Sequence, residues 1–141
     1  MANIASYLEE ALLNHVMRNV EYSRPATVYL GLVSSAASGA DLEAGTLTNE
    51  ITAYTGNRKA ITFGAPSQVG GKATIANTNE MEFEDMPAAT VEYAIVCDSA
   101  TVGNILYWMP LVDGGGTPIT KATNAGDTFR VPVGDCVLDL D

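Results

Sequence analysis

The chain has 141 residues, 47% apolar and 17% charged, which is enough for one domain with a real core and too apolar for a disordered chain. Its 17 acidic and 7 basic residues give a net charge of −10, which disfavours nucleic acid and anionic lipid as partners; Arg58 and Lys59 are the only adjacent basic pair. No apolar run approaches the ~20 residues needed to cross a bilayer, and the first ten residues carry two acids and no basic leader, so production and assembly in a cytosol are expected.

In chain order, the first element reads as a helix over residues 3–19. Ile4, Leu8, Ala11, Leu12, His15 and Val16 recur at three- and four-residue spacing and form one apolar stripe. Ser6 and Glu9 have capping-box spacing, with Asn3 a second candidate cap. Pro25 restarts the chain in extended form, and residues 26–141 read as β structure. Residues 27–33 carry apolar side chains on both faces, as a central strand does. Residues 34–57 are small and polar and read as a long loop, of a length that tends to be functional or ordered by a partner. Strands are expected at 59–63, 72–75, 81–84, 91–97, 104–109, 118–121, 127–133 and 135–141. In the last of these Cys136, Leu138 and Leu140 form the apolar face. The expected fold is mainly β: a single-domain antiparallel β-sandwich, jelly-roll-like, with one N-terminal amphipathic helix, spanning residues 1–141.

The residues offer little chemistry. His15 is the only histidine and sits on the apolar side of the helix, where packing or an interface explains it better than catalysis. Cys97 and Cys136 alternate with polar residues as core positions and read as buried, reduced thiols. Two cysteines and one histidine are too few for an ordinary zinc site. Glu80, Glu82 and Glu84 share one strand face, which reads as solvated rather than as a calcium site. The glycine runs at 70–71 and 114–116 lack the lysine and helix of a phosphate loop and read as turns. No catalytic residue, cofactor or metal is therefore assigned, and an enzyme is not expected. The run Ile105-Leu106-Tyr107-Trp108-Met109 is apolar on both faces, so something must cover its second face, either the helix or another chain.

The order of short motifs adds a resemblance. The helix from Tyr7 to Val16 is followed by Tyr22-Ser23-Arg24-Pro25-Ala26-Thr27-Val28-Tyr29-Leu30-Gly31-Leu32, then Glu50-Ile51, Tyr54, Arg58-Lys59 and Ile61-Thr62-Phe63-Gly64-Ala65-Pro66. Asn77-Thr78, Met81-Glu82-Phe83, Val102 to Trp108 and Gly126-Asp127-Thr128-Phe129-Arg130 come next. Over nearly its whole length the chain resembles a family of small tailed-bacteriophage virion structural proteins, often labelled tail-fibre proteins, some of whose general kind act as capsid decoration proteins. The resemblance implies a non-enzymatic virion protein. The leading expectation is a cement protein on the outer capsid surface, a homotrimer that binds the major capsid protein; the alternative is a tail-fibre or baseplate component that binds a host receptor. Leu8, Leu12, Val16, Tyr54, Tyr107 and Trp108 are the candidate interface residues, the three aromatics forming an exposed platform if the alternative holds.

Overall fold

The structure is a computed structural model that describes residues 2–141. It begins with β1 (Asn3–Ile4), α1 (Ser6–Met17), β2 (Val28–Ser34), α2 (Gly39–Glu43), β3 (Glu50–Ile51) and β4 (Lys59–Ile61). It continues with β5 (Ser67–Val69), β6 (Lys72–Ala76), β7 (Met81–Met86), β8 (Ala89–Cys97), β9 (Ile105–Pro110), β10 (Lys121–Thr123), β11 (Asp127–Val131) and β12 (Val137–Leu140). The fold is mainly β and antiparallel, with the short helix at its N-terminus, in agreement with the residue pattern.

The main sheet runs β1-β9-β8-β2-β3, with β4 beside β2 and β10 beside β8. β2 and β8 are its centre, and their alternation sends side chains to two different cores. Leu30, Leu32, Ala94 and Val96 face one way and pack on Phe83, Met81, Phe129 and Leu138 from the small β11-β7 and β12-β6-β5 sheets. Val33, Ile95, Cys97 and Ile105 face the other way and pack on Ala5 and Leu42. Register shifts preserve this sorting. One between Val33 and Ser34 lets Val91 join the first core, and one between Val96 and Cys97 sets Ile105 on the face of Trp108.

β7 shows why a bulge matters here. Met81 and Phe83 are buried with Glu82 and Glu84 turned outward, as alternation requires. Continued alternation would bury Asp85. Instead Asp85 takes a left-handed conformation (φ 53°) and is exposed, and Met86 drops into the core.

Several elements differ from the expectations: β5 adds a strand where none is expected, and the strand expected at 118–121 lies at 121–123. Asn3 and Ile4 pair with Trp108 and Tyr107 as an edge strand, so the helix starts at Ser6. Its N-cap is Ala5, whose side chain has no acceptor to offer, and the hydroxyl of Ser6, one position on, donates to Glu43 Oε1 at 3.1 Å. The helix stops at Met17: Asn19 turns left-handed (φ 56°), and the Arg18 and Val20 N–H groups both return to the Asn14 carbonyl. At the other terminus Leu140 is half-exposed, since β12 lies at the rim of its sheet.

The largest correction is in the expected long loop. Residues 34–57 are not an open loop. They contain α2 and β3, held by this chain's own contacts. Ser38 and Asp41 form a full capping box at the start of α2, the feature expected of Ser6 and Glu9. α2 lies over Trp108: a Cβ on Gly39 would stand 2.7 Å from the indole, so only glycine allows this approach. Trp108 Nε1–H donates to Glu43 Oε2 at 2.7 Å. The second face of the 105–109 run is therefore covered from within the chain, by α2, Ala5 and Leu42.

Candidate interaction surface

The interface residues expected from the sequence do not gather in one place. Tyr54 is 7% exposed and stands edge-on to Phe83, ring centroids 4.9 Å apart. Burial, assisted by Glu50, pushes its phenol up to about 12 against the opposing charge of Arg58. Tyr107 is half-buried, and its hydroxyl donates to the Asp139 carbonyl at 3.1 Å. Trp108 points to the opposite face, under α2 and against Tyr93. An exposed aromatic platform built from these three is thus excluded. Each is committed to packing in this chain.

The helix behaves differently. Leu8 and Leu12 are half-buried, and α1 has no fully buried residue. Its N-terminal end is tied down by Ala5 N–H donating to the Leu106 carbonyl and by the Ser6–Glu43 hydrogen bond. Its C-terminal end overhangs. Leu13, Val16 and Met17 are 63%, 67% and 74% exposed, and Val20 just beyond is also exposed. Leu13, Val16 and Met17 recur at i, i+3 and i+4 on one helix face, and Val20 follows the left-handed turn at Asn19. At ~150 Å² per side chain the four leave roughly 400 Å² of apolar surface in water, the size of patch that marks contact sites on monomers. The overhang is nevertheless braced: Tyr22 N–H donates to His15 Nδ1 at 3.2 Å, and Arg18 Nη1 donates to Asn14 Oδ1 at 2.8 Å. Apolar periodicity found the half-buried side of α1, with Leu8, Ala11 and Leu12, but of the exposed patch it named only Val16; Leu13, Met17 and Val20 lie off the expected stripe.

Sequence reasoning missed the main polar node. Arg58, singled out from the sequence only for its pairing with Lys59 and as a motif residue, is almost fully buried. Its Nε and Nη2 donate to the Glu50 carboxylate at 2.6–3.0 Å. Its Nη1 donates to the Ser99 and Val102 carbonyls at 2.8 and 2.6 Å. Desolvation opposes its charge, but the hydrogen bonds and charge of Glu50 raise its pKa overall. The guanidinium joins β3, the segment before β4 and the turn after β8, where Val102 is left-handed (φ 53°). Only a buried planar donor fork satisfies so many acceptors at once.

The remaining titratable groups match core and surface roles. Cys97 and Cys136 are free and buried, and burial pushes both thiols up to about 12. Glu80 and Glu82 pair with Arg130 at 3.5 and 2.7 Å in a solvated cluster.

Residues 3–139 match the family described as Podophage GP4 fiber I protein gp80. The chain belongs to this family. It is a structural protein of a tailed-phage virion. No curated protein is significantly similar to it.

Proposed function

We propose that the protein is a subunit of a virion fibre, anchored to a neighbouring virion protein through the exposed face of α1. The observation that carries the reading is the overhanging apolar surface of Leu13, Val16 and Met17, on a helix that the same chain braces and does not cover. The family description favours the fibre over capsid cement, although both would use such a face. The fibre subunit works by geometry and buried area: apolar contacts repeated between neighbouring subunits give a rigid assembly without any reaction step. In this reading α1 packs in a small closed homo-oligomer, a trimer, or on the adjoining virion subunit, and the acidic surface keeps the free subunit soluble.

The test is to label the protein in intact particles and locate it by electron microscopy. A few copies at the tail or at fibre bases support the fibre. Hundreds of copies spread over the shell, with loss of heat resistance on deletion, would replace it with capsid cement. Incorporation of a Met17→Asp variant at the normal level would remove α1 from the contact.

A further inference from the structure

A second surface opens on the opposite side of the main sheet from α1. It is a groove of about 220 Å³ between β9, β10 and β11. Its floor is core: Leu30, Ala94 and Cys136. Its walls include Met109, Leu111 and Val131, and Val112 and Ile119 stand exposed at its rim. Two features distinguish it from an ordinary crevice. First, among the described residues β10 pairs only with β8, and β11 only with β7, so each leaves one edge without a strand neighbour. Second, Lys121 lies at the groove with its ammonium over the Phe129 ring, 5.4 Å from the centroid, and forms no ion pair among the described residues. Two other charged residues line the groove: Arg130, which is held by Glu80 and Glu82, and Asp135.

We propose that this groove binds an extended segment of a partner protein by strand addition to β10 or β11. An unpaired strand edge presents N–H and C=O groups at the spacing of a β ladder, and an adjacent apolar trough receives alternate side chains. The segment this site selects has small or β-branched apolar residues at every second position. It also carries one carboxylate placed to meet Lys121. In a chain of net charge −10 an unpaired cation at an apolar groove favours an acidic partner locally. With α1 on one face and the groove on the other, one subunit can hold two neighbours at once.

The experiment uses the full chain and synthetic acetylated, amidated peptides of alternating valine and threonine with one glutamate, followed by amide chemical shifts. Saturable shifts confined to β10, β11 and residues 109–112 are expected. The same peptide N-methylated at every second residue is expected not to bind, because the ladder cannot form. Lys121→Glu is expected to weaken the glutamate peptide roughly five- to tenfold and to strengthen one carrying lysine instead. Ile119→Asp, at an exposed rim position, should weaken both peptides and leave the fold intact. Equal binding of the N-methylated peptide, or binding of octanoate at these residues without peptide binding, overturns strand addition. Self-association that Ile119→Asp abolishes in the absence of peptide overturns the hetero-partner, since the occupant is then a second copy. Failure of these tests leaves the fibre reading untouched, because that reading rests on α1.

Discussion

Two regions beside β9 treat water in opposite ways. The segment around α2 is built from serines, alanines and glycines, yet it buries Leu42, covers Trp108 and is capped at its N-terminus. The C-terminal half of α1 is built from Leu13, Val16 and Met17, yet it stays in solvent. The two are joined by the Ser6–Glu43 hydrogen bond, so they belong to one layer. Small residues allow close approach, and close approach lets a few large ones be buried completely. Large residues on a helix fixed at one end have nothing within reach. The first region therefore owes its order to this chain, and the second is where another chain would change most.

The largest loss of stability is expected at Arg58. Replacing it with alanine leaves the Glu50 carboxylate and two loop carbonyls without their buried donor, so a loss of about 3–5 kcal/mol is expected in urea unfolding. Arg58→Lys should recover only a small part, since an ammonium cannot reproduce the fork. A midpoint unchanged by Arg58→Ala would mean that the 50–58 segment is not held as described. Next comes Leu42→Ala, which removes the one buried side chain of α2 and should cost about 2–4 kcal/mol. If the loss is below 1 kcal/mol, the α2 layer is not part of the cooperative core.

Alkaline pH probes the same layer without mutation. Cys97 lies beneath it with Ala5 and Leu42, and Cys136 and Tyr54 lie in the other core. All three have folded-state values raised to about 12, from ordinary values of 9.0 for the thiols and 10.0 for the phenol. The folded state thus holds these protons more tightly than the unfolded state does. Their contribution is complete below the unfolded values and is lost as pH rises from about 9 towards 12. The melting temperature should be flat with respect to these groups near neutrality and fall across that window. Thiol labelling at pH 8 should follow global unfolding. Fast labelling of Cys97 alone would show that the α2 layer opens independently.

A smaller effect separates the two helix starts. Ser38→Ala removes the capping box of α2 and should cost about 1 kcal/mol, while Glu9→Gln, at the position expected to close a box on α1, should be near neutral. The pair also marks what could be read from residues alone. Strand positions were legible where apolar residues ran on both faces, as in β2 and β8, or alternated with acids, as in Met81–Glu84 of β7, and so was the burial of Cys97, Cys136 and Leu138. The α2 layer was not legible, because its order comes from tertiary contacts with Trp108 and from a buried Arg58, and no local periodicity reports either. The stripe of Leu8, Ala11 and Leu12 was visible and is the half-buried side of α1, whereas the exposed Leu13 and Met17 lie off it and no periodicity pointed to them. The groove beside β10 was hidden because it arises from two strands in different sheets ending without neighbours.

The smallest expected change in stability comes from the most apolar exposed residues, and it is the sharpest test of the contrast. Leu13→Asp and Met17→Asp substitute side chains that already face water, so each should shift the isolated subunit by no more than about 0.5 kcal/mol, aside from helix propensity and charge near the helix end. Leu42→Ala should destabilise the subunit several times more while leaving the α1 surface unchanged. The order should reverse in assembly. At equal concentrations of folded protein, the α1 variants should be absent from particles or fail to associate, and Leu42→Ala should still enter them below its melting temperature. Sedimentation of the purified subunits and quantitation in purified particles give both halves of this result. Should the α1 variants melt early, the helix is packed in this chain more tightly than its exposure indicates, and the second region loses its standing as the open contact face.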